Sequence, residues 1–435
     1  MTPAAGAFLS GATSRLLPMS IPFRFFGAAV AFHLCAWLAL LAGADHVPRF
    51  SGGPGWPLAA LHLVTLGVLA MSAIGASLQL LPVATRQPVR STRWPAAIWW
   101  LYTPGVAALA LGMGQVVPGL LGAGAAAVVL ALIGYTVLVA INLRGARGMP
   151  AVVAHVWAAM GALLLTLATA LALVGSYLGV PLLDHGTALS LHIALAAYGF
   201  MGLLALGLSY VLVPMFALAA APDERQALAS GALAVAALAA AAMAALGDAP
   251  QLLRLTALAL GGVAAAVHLR LMRQALRSGM RRELGRSFTL VRIGWAALVA
   301  SLAAAFAMAL GAGWAGAPAL FGLTLVGGWL LTFLLGLLQR ILPFLASMHA
   351  GQGRKRPPTP SSLSSERPLA VHFFCHLAAL AGLALAIVTG SGALAALAAT
   401  VGAVGAAAFA VFFVTLIRRT RGPLKTLPAQ APSAS

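Results

Sequence analysis

Three long apolar stretches of this chain close in the same way. They run over 62–83, 192–216 and 328–349, and their closing prolines Pro82, Pro214 and Pro343 stand 132 and 129 residues apart. Seven residues before each proline is a glycine (Gly75, Gly207, Gly336), and eight before that is another (Gly67, Gly199, Gly328). A G-x7-G-x6-P pattern recurring in register marks three copies of one unit, and a repeat sets the architecture before any single residue does. Two copies carry a histidine near the start, His62 and His192, 20 and 22 residues before the proline; the third has Phe321 to Leu323 in that region.

The solvent for such a chain is a lipid bilayer. Hydrophobic residues make up 62% of it and charged ones 8%, with a mean hydropathy of +0.99. Apolar runs approach the ~20 residues that cross the hydrocarbon core. Twelve such runs are predicted, at 26–43, 58–80, 96–114, 119–142, 151–175, 188–218, 226–246, 251–272, 288–311, 318–344, 368–390 and 393–417. The fold class is therefore an all-α polytopic membrane protein, with four spans in each of three units, 25–145, 150–275 and 288–417. Ala, Gly and Leu dominate, and small residues let membrane helices approach closely.

A net charge of +19 raises the question of nucleic acid. The charge positions answer it. With the N-terminus inside, all Lys and Arg except Arg49 and Arg254 fall on the cytoplasmic side. This is the positive-inside signature, and it predicts cytoplasmic termini in a bacterial-type inner membrane rather than a nucleic-acid partner. Residues 1–24 read as a cytoplasmic segment without a cleavable signal. Residues 351–368 read as a Pro- and Ser-rich cytoplasmic linker, 418–435 as a basic tail, and 270–292 as a basic helix continuing span eight along the membrane surface. Cys35 and Cys375 both lie within spans, so no disulfide framework is expected.

All seven acidic residues are expected in loops. That removes carboxylate general acids and bases from the bundle and argues against ion-coupled transport. Histidine is what remains inside. His62 and His192 enter from the outer ends of spans two and six, where a threefold bundle lets them converge on one cofactor; each could equally bond a neighbouring carbonyl. His33 lies near the middle of span one. His372 and His376, in the sequence H-x-x-C-H with Cys375, share one helix face at i, i+4, a spacing able to bind a metal. An imidazole in hydrocarbon needs a partner, and a metal or haem iron is one. His155 reads as a possible interfacial anchor; His46, His185, His268 and His349 read as loop or interface residues. The glycines are read as packing sites, the prolines as ends or kinks of their helices, and Trp94, Trp99, Trp100 and Tyr102 as an aromatic belt.

Twelve spans in three four-helix units, with histidines entering spans two and six from outside, resemble subunit I of the haem–copper oxidase superfamily. The resemblance implies a threefold pseudosymmetric ring, a haem ligand at His62 and a copper ligand near His192. The opening Pro22-Phe23-Arg24-Phe25-Phe26 also resembles the start of NnrS-like proteins, twelve-span haem and copper proteins linked to nitric oxide metabolism. The sequence departs from the oxidases in three places. Span seven has no histidine, span ten has none before His349, and His192 is followed by Ile193 and Ala194 rather than Pro-Glu. A reduced cofactor set on an oxidase-like scaffold is the expectation: haem, with copper as a second candidate, held by His62, His192 and His33, and metal at His372 and His376. Its setting would be nitric oxide or respiratory metabolism among respiratory-chain proteins, with catalysis left open. Two other classes stay open: a transporter of a small apolar or metal-complexed solute, and a cofactor-free scaffold of a respiratory complex.

Overall fold

A computed structural model describes residues 17–88, 91–247, 251–281, 283–351 and 358–421. It contains twelve helices long and apolar enough to cross a membrane: α1 Ser20–Ala42, α2 Trp56–Ala84, α3 Arg93–Gly114, α4 Pro118–Arg144, α5 Pro150–Tyr177, α6 His185–Ala217, α7 Glu224–Leu246, α8 Gln251–Ser278, α9 Gly285–Ala309, α10 Ala317–Ala350, α11 Glu366–Thr389 and α12 Gly392–Arg421. In lipid every backbone polar group must be satisfied within the segment, so apolar runs of this length become helices. Their starts are written in ordinary helix chemistry. Pro118 and Pro150 open α4 and α5, where a missing N–H costs nothing. Asp184 caps α6 by accepting the Thr187 N–H at 2.9 Å, and Asp223 caps α7 by accepting that of Gln226 at 2.9 Å. Glu224 and Glu366 lie in first turns. These acids are therefore fixed at helix N-termini rather than free in loops; Asp248 lies outside the described residues.

The packing repeats three times. In each of 25–145, 150–275 and 288–417, the first helix packs on the second and the third pairs with the fourth. The repeat glycines are where the first pair touches. A Cβ on Gly67 would stand 2.7 Å from Phe32 Cβ, one on Gly199 2.8 Å from Ala162 Cβ, and one on Gly328 3.1 Å from Ala297 Cβ. The second glycines do the same one layer further in. Gly75 faces Phe25 at 3.0 Å, Gly207 faces His155 at 2.6 Å and Gly336 faces Leu290 at 3.1 Å. The facing residues, Phe25 and Phe32, His155 and Ala162, Leu290 and Ala297, are seven apart in α1, α5 and α9. The motif is thus a two-point contact between the first and second helices of each unit, made possible by missing side chains.

The prolines do not end their helices. α2 runs on to Ala84, α6 to Ala217 and α10 to Ala350, so Pro343 sits seven residues before its helix stops. What does interrupt the α geometry is invisible in the motif. Each of the three helices carries a π-helical segment around its first glycine: Leu63–Ala70, Ala194–Gly202 and Leu323–Leu331. Side chains add a second bond to carbonyls that the π ladder already pairs. The Tyr102 hydroxyl donates to Leu66 O at 3.1 Å, and Thr332 Oγ1 donates to Gly327 O, five residues back, at 2.7 Å.

Other expectations change. Tyr102 is fully buried and belongs to the core, whereas Trp94 and Trp100, 65 and 68% exposed, face outward. The first helix begins at Ser20, so Pro22 to Phe26 lie inside it, with Phe25 and Phe26 buried. The stretch 270–292 forms no separate surface helix. α8 ends at Ser278, the Met280 and Arg281 amides bond back to Leu218 and Ala217, and α9 starts at Gly285. Of the expected linker, 352–357 lies outside the described residues. The remainder is ordered: Pro360–Leu363 is one helical turn, Leu363 is buried, and α11 begins at Glu366. Residues 1–16 and 422–435 are likewise outside the described residues.

Candidate functional site

The first site is built where two motif helices change winding. His62 is the last α-helical residue before the π segment of α2, and His192 stands two before that of α6. Single-turn π geometry is frequent at functional sites. Just before these segments the two rings come together, with centroids 6.4 Å apart and planes inclined by 20°. Both rings are half-buried. Their partners fix the tautomers. Leu58 O, which can only accept, takes the His62 Nδ1–H at 3.0 Å. Thr169 Oγ1 spends its own proton on Leu165 and Thr166 carbonyls and accepts the His192 Nδ1–H at a long 3.4 Å. Each Nε2 is left as a lone pair, and an imidazole held through its other nitrogen is the arrangement of a metal ligand. With metal–nitrogen bonds of ~2.0 Å, two imidazoles on opposite sides of one ion place their centroids about 6.4 Å apart. The ring separation is therefore of the size that two imidazoles sharing one ion would have. The third motif helix has Phe321 and Gly322 at these positions.

His33 is grouped elsewhere, with His372 and His376. Its ring lies 5.9 Å from that of His372, which lies 5.6 Å from that of His376, all three essentially inaccessible at 2, 0 and 1% exposure. Phe409 of α12 covers them, 6.4 Å from His33 and 4.9 Å from His372. Cys375, between the two histidines in sequence, packs against Gly405 instead.

A further pair was missed by reading His155 as an interfacial anchor and His268 as a loop or interface residue. His268 is buried in α8, where Nδ1 bonds the Tyr210 hydroxyl at 3.1 Å. His155 is buried in α5, its ring 5.4 Å from that of Tyr210 and its Nδ1 bonded to Ala151 O at 2.7 Å. Neither is an interface residue. The available signal was simple: a histidine within an uncharged run is a functional or packed residue by default. His349 is half-buried beside Phe23, at 6.4 Å, while His46 is exposed and His185 starts α6 near Tyr177, at 5.5 Å. Among the described residues no group of three or more His, Cys, Asp or Glu is placed to hold a metal ion, so two-histidine sets are what the chain offers.

A cavity of about 430 Å³ opens among α6, α7, α8, α9 and α10. Its wall is mostly alanine and leucine, with Tyr198 bonded to Ser301 at 3.0 Å, Trp329 beside Tyr198 and Arg254 at one end. No histidine or acid lines it.

No protein-family model matches the sequence, and no curated protein matches it. The fold does match solved structures. A chain of a heme-copper terminal oxidase dimer, determined by cryo-EM, superposes with a TM-score of 0.62 over 94% of this chain and 85% of that one, at 12% sequence identity. The chain therefore has the oxidase-like, twelve-helix polytopic fold, and it is a multi-pass membrane protein.

Proposed function

We propose that this protein binds haem, or copper in its place, between His62 and His192 on an oxidase subunit I-like scaffold. Its role would be in nitric oxide or respiratory metabolism in a bacterial-type inner membrane, beside respiratory-chain proteins and with both termini cytoplasmic. The observation that carries the reading is that the two rings lie with centroids 6.4 Å apart, each anchored through Nδ1. When bound, such a group supplies a redox-active metal able to meet a small diatomic ligand. The protein's part is to hold both imidazoles in the ligating tautomer and to exclude bulk water with the apolar walls of α2 and α6. The NnrS-like resemblance of Pro22 to Phe26 supports the nitric oxide branch.

The test is the visible spectrum and metal content of protein purified from haem-replete cells. A Soret band, or bound copper, that disappears in His62→Ala and His192→Ala supports the reading; colourless, metal-free wild type sinks it. The alanine-walled cavity supports a second reading, uptake or passage of a small apolar molecule. That reading predicts solute flux in vesicles that survives both substitutions.

A further inference from the structure

We propose that α1 and α11 build a second, separate metal site. His372 Nε2 and His376 Nδ1 hold one monovalent copper ion there, and the Nδ1–H of His33 faces its third coordination position.

The argument starts from which nitrogen of each ring is spoken for. His372 Nδ1 lies 3.1 Å from Gly405 O, and a carbonyl only accepts, so this nitrogen carries the proton and Nε2 is bare. His376 Nε2 lies 2.8 Å from Thr332 Oγ1, whose own hydrogen is given to Gly327 O, so Nε2 carries the proton and Nδ1 is bare. His33 Nε2 receives the indole N–H of Trp37 at 3.2 Å, so its proton sits on Nδ1. The three remaining atoms, His372 Nε2, His376 Nδ1 and His33 Nδ1, are all buried and without a hydrogen-bond partner. Three orphaned polar atoms on neighbouring buried rings are a costly arrangement unless something bonds them. Two bare lone pairs on rings anchored through their other nitrogens are the outer-sphere pattern of metal-bound histidine. Their centroid separation of 5.6 Å is within the about 6.4 Å that two imidazoles on one ion can span. His33 offers a hydrogen, not a lone pair, so it is a donor to the ion's remaining ligand rather than a ligand itself.

Charge selects the metal. Among the described residues no carboxylate or thiolate completes the site, so the ion's full charge stays in a low-dielectric interior. The cost of burying a charge rises with its square, which penalises a divalent ion about fourfold over a monovalent one. Zinc also seeks four ligands, whereas two imidazoles and one small ligand suit monovalent copper.

The experiment loads the full-length His62→Ala/His192→Ala double variant, whose outer pair cannot contribute, with monovalent copper under anaerobic reducing conditions. Copper and zinc are then counted after washing with a chelator, and copper K-edge absorption is recorded. The expected result is a stoichiometric copper with the edge of a monovalent, nitrogen-ligated ion, retained over an equal supply of zinc. Adding His372→Ala or His376→Ala should abolish it. If those chains misfold, Thr332→Val is the second route. It frees His376 Nε2 without emptying the pocket and should weaken copper retention roughly 10–100-fold. Copper that never binds the double variant, zinc taken in preference, or copper unchanged by the inner substitutions overturns the proposal; the first outcome means the pocket holds a trapped water only. Because the outer pair is already absent, none of these results bears on the proposed haem site.

Discussion

The outer and inner histidine sets differ in every physical respect that the bundle controls. His62 and His192 come from equivalent helices of two units, are half-buried, and meet where each helix changes winding. His33, His372 and His376 come from the first and third helices of different units, are sealed under Phe409, and leave three nitrogens unpartnered. The two arrangements differ in origin. One joins residues at matching places of two motif helices. The other joins residues of α1 and α11 that no shared motif announces.

Three perturbations would break or sharpen this contrast. The largest effect is expected from Gly402→Leu. A Cβ there would stand 2.3 Å from the Trp37 indole, and that indole holds His33. Overpacking should cost up to about 3 kcal/mol and weaken copper retention at the inner set, through the displaced His33 donor, while the outer spectrum persists; loss of both signals together in folded protein would refute the independence of the two sites. Next, Tyr102→Phe removes the side-chain bond to the Leu66 carbonyl, which keeps its backbone donor, in the π segment beside His62. Losing one such hydrogen bond costs about 0.5–1.5 kcal/mol, read as a lower unfolding temperature with a perturbed His62–His192 chromophore and unchanged copper at the His372–His376 set. The smallest effect is acid titration. The Thr187 amide holds the Asp184 carboxyl below its ordinary range, so the cap stabilises α6 above that range and is lost as pH falls through and below it. Protection factors of the amides in the first turn of α6, corrected for intrinsic exchange at each pH, should fall there in wild type and stay constant in Asp184→Ala.

Much of the scaffold is legible in the chain. All twelve predicted spans correspond to helices, because twenty apolar residues in lipid have one low-cost conformation. The motif glycines are readable as contacts for the same reason, a missing side chain. The π segments are not readable, since Leu63–Ala70 has the composition of any membrane helix and its winding is decided by neighbours such as Tyr102. The inner set is hidden differently. His372 and His376 announce a shared face by their spacing, but His33 is more than three hundred residues away in sequence and is brought to them only by the closure of α1 against α12. Tyr102 shows the limit of composition: it sits among surface tryptophans in sequence, yet its helix face points inward.

The winding of α2 also makes its outer end a register switch. Deleting one residue from Leu63–Ala70 would let that segment relax to α geometry, the tighter winding making up for part of the lost residue. His62 would be re-aimed by less than the ~100° of one α-helical residue, while Gly75 and Pro82 kept their places. The aim of the His62 ring is thus set by winding, and the packing of the bundle by glycines further along the same helix.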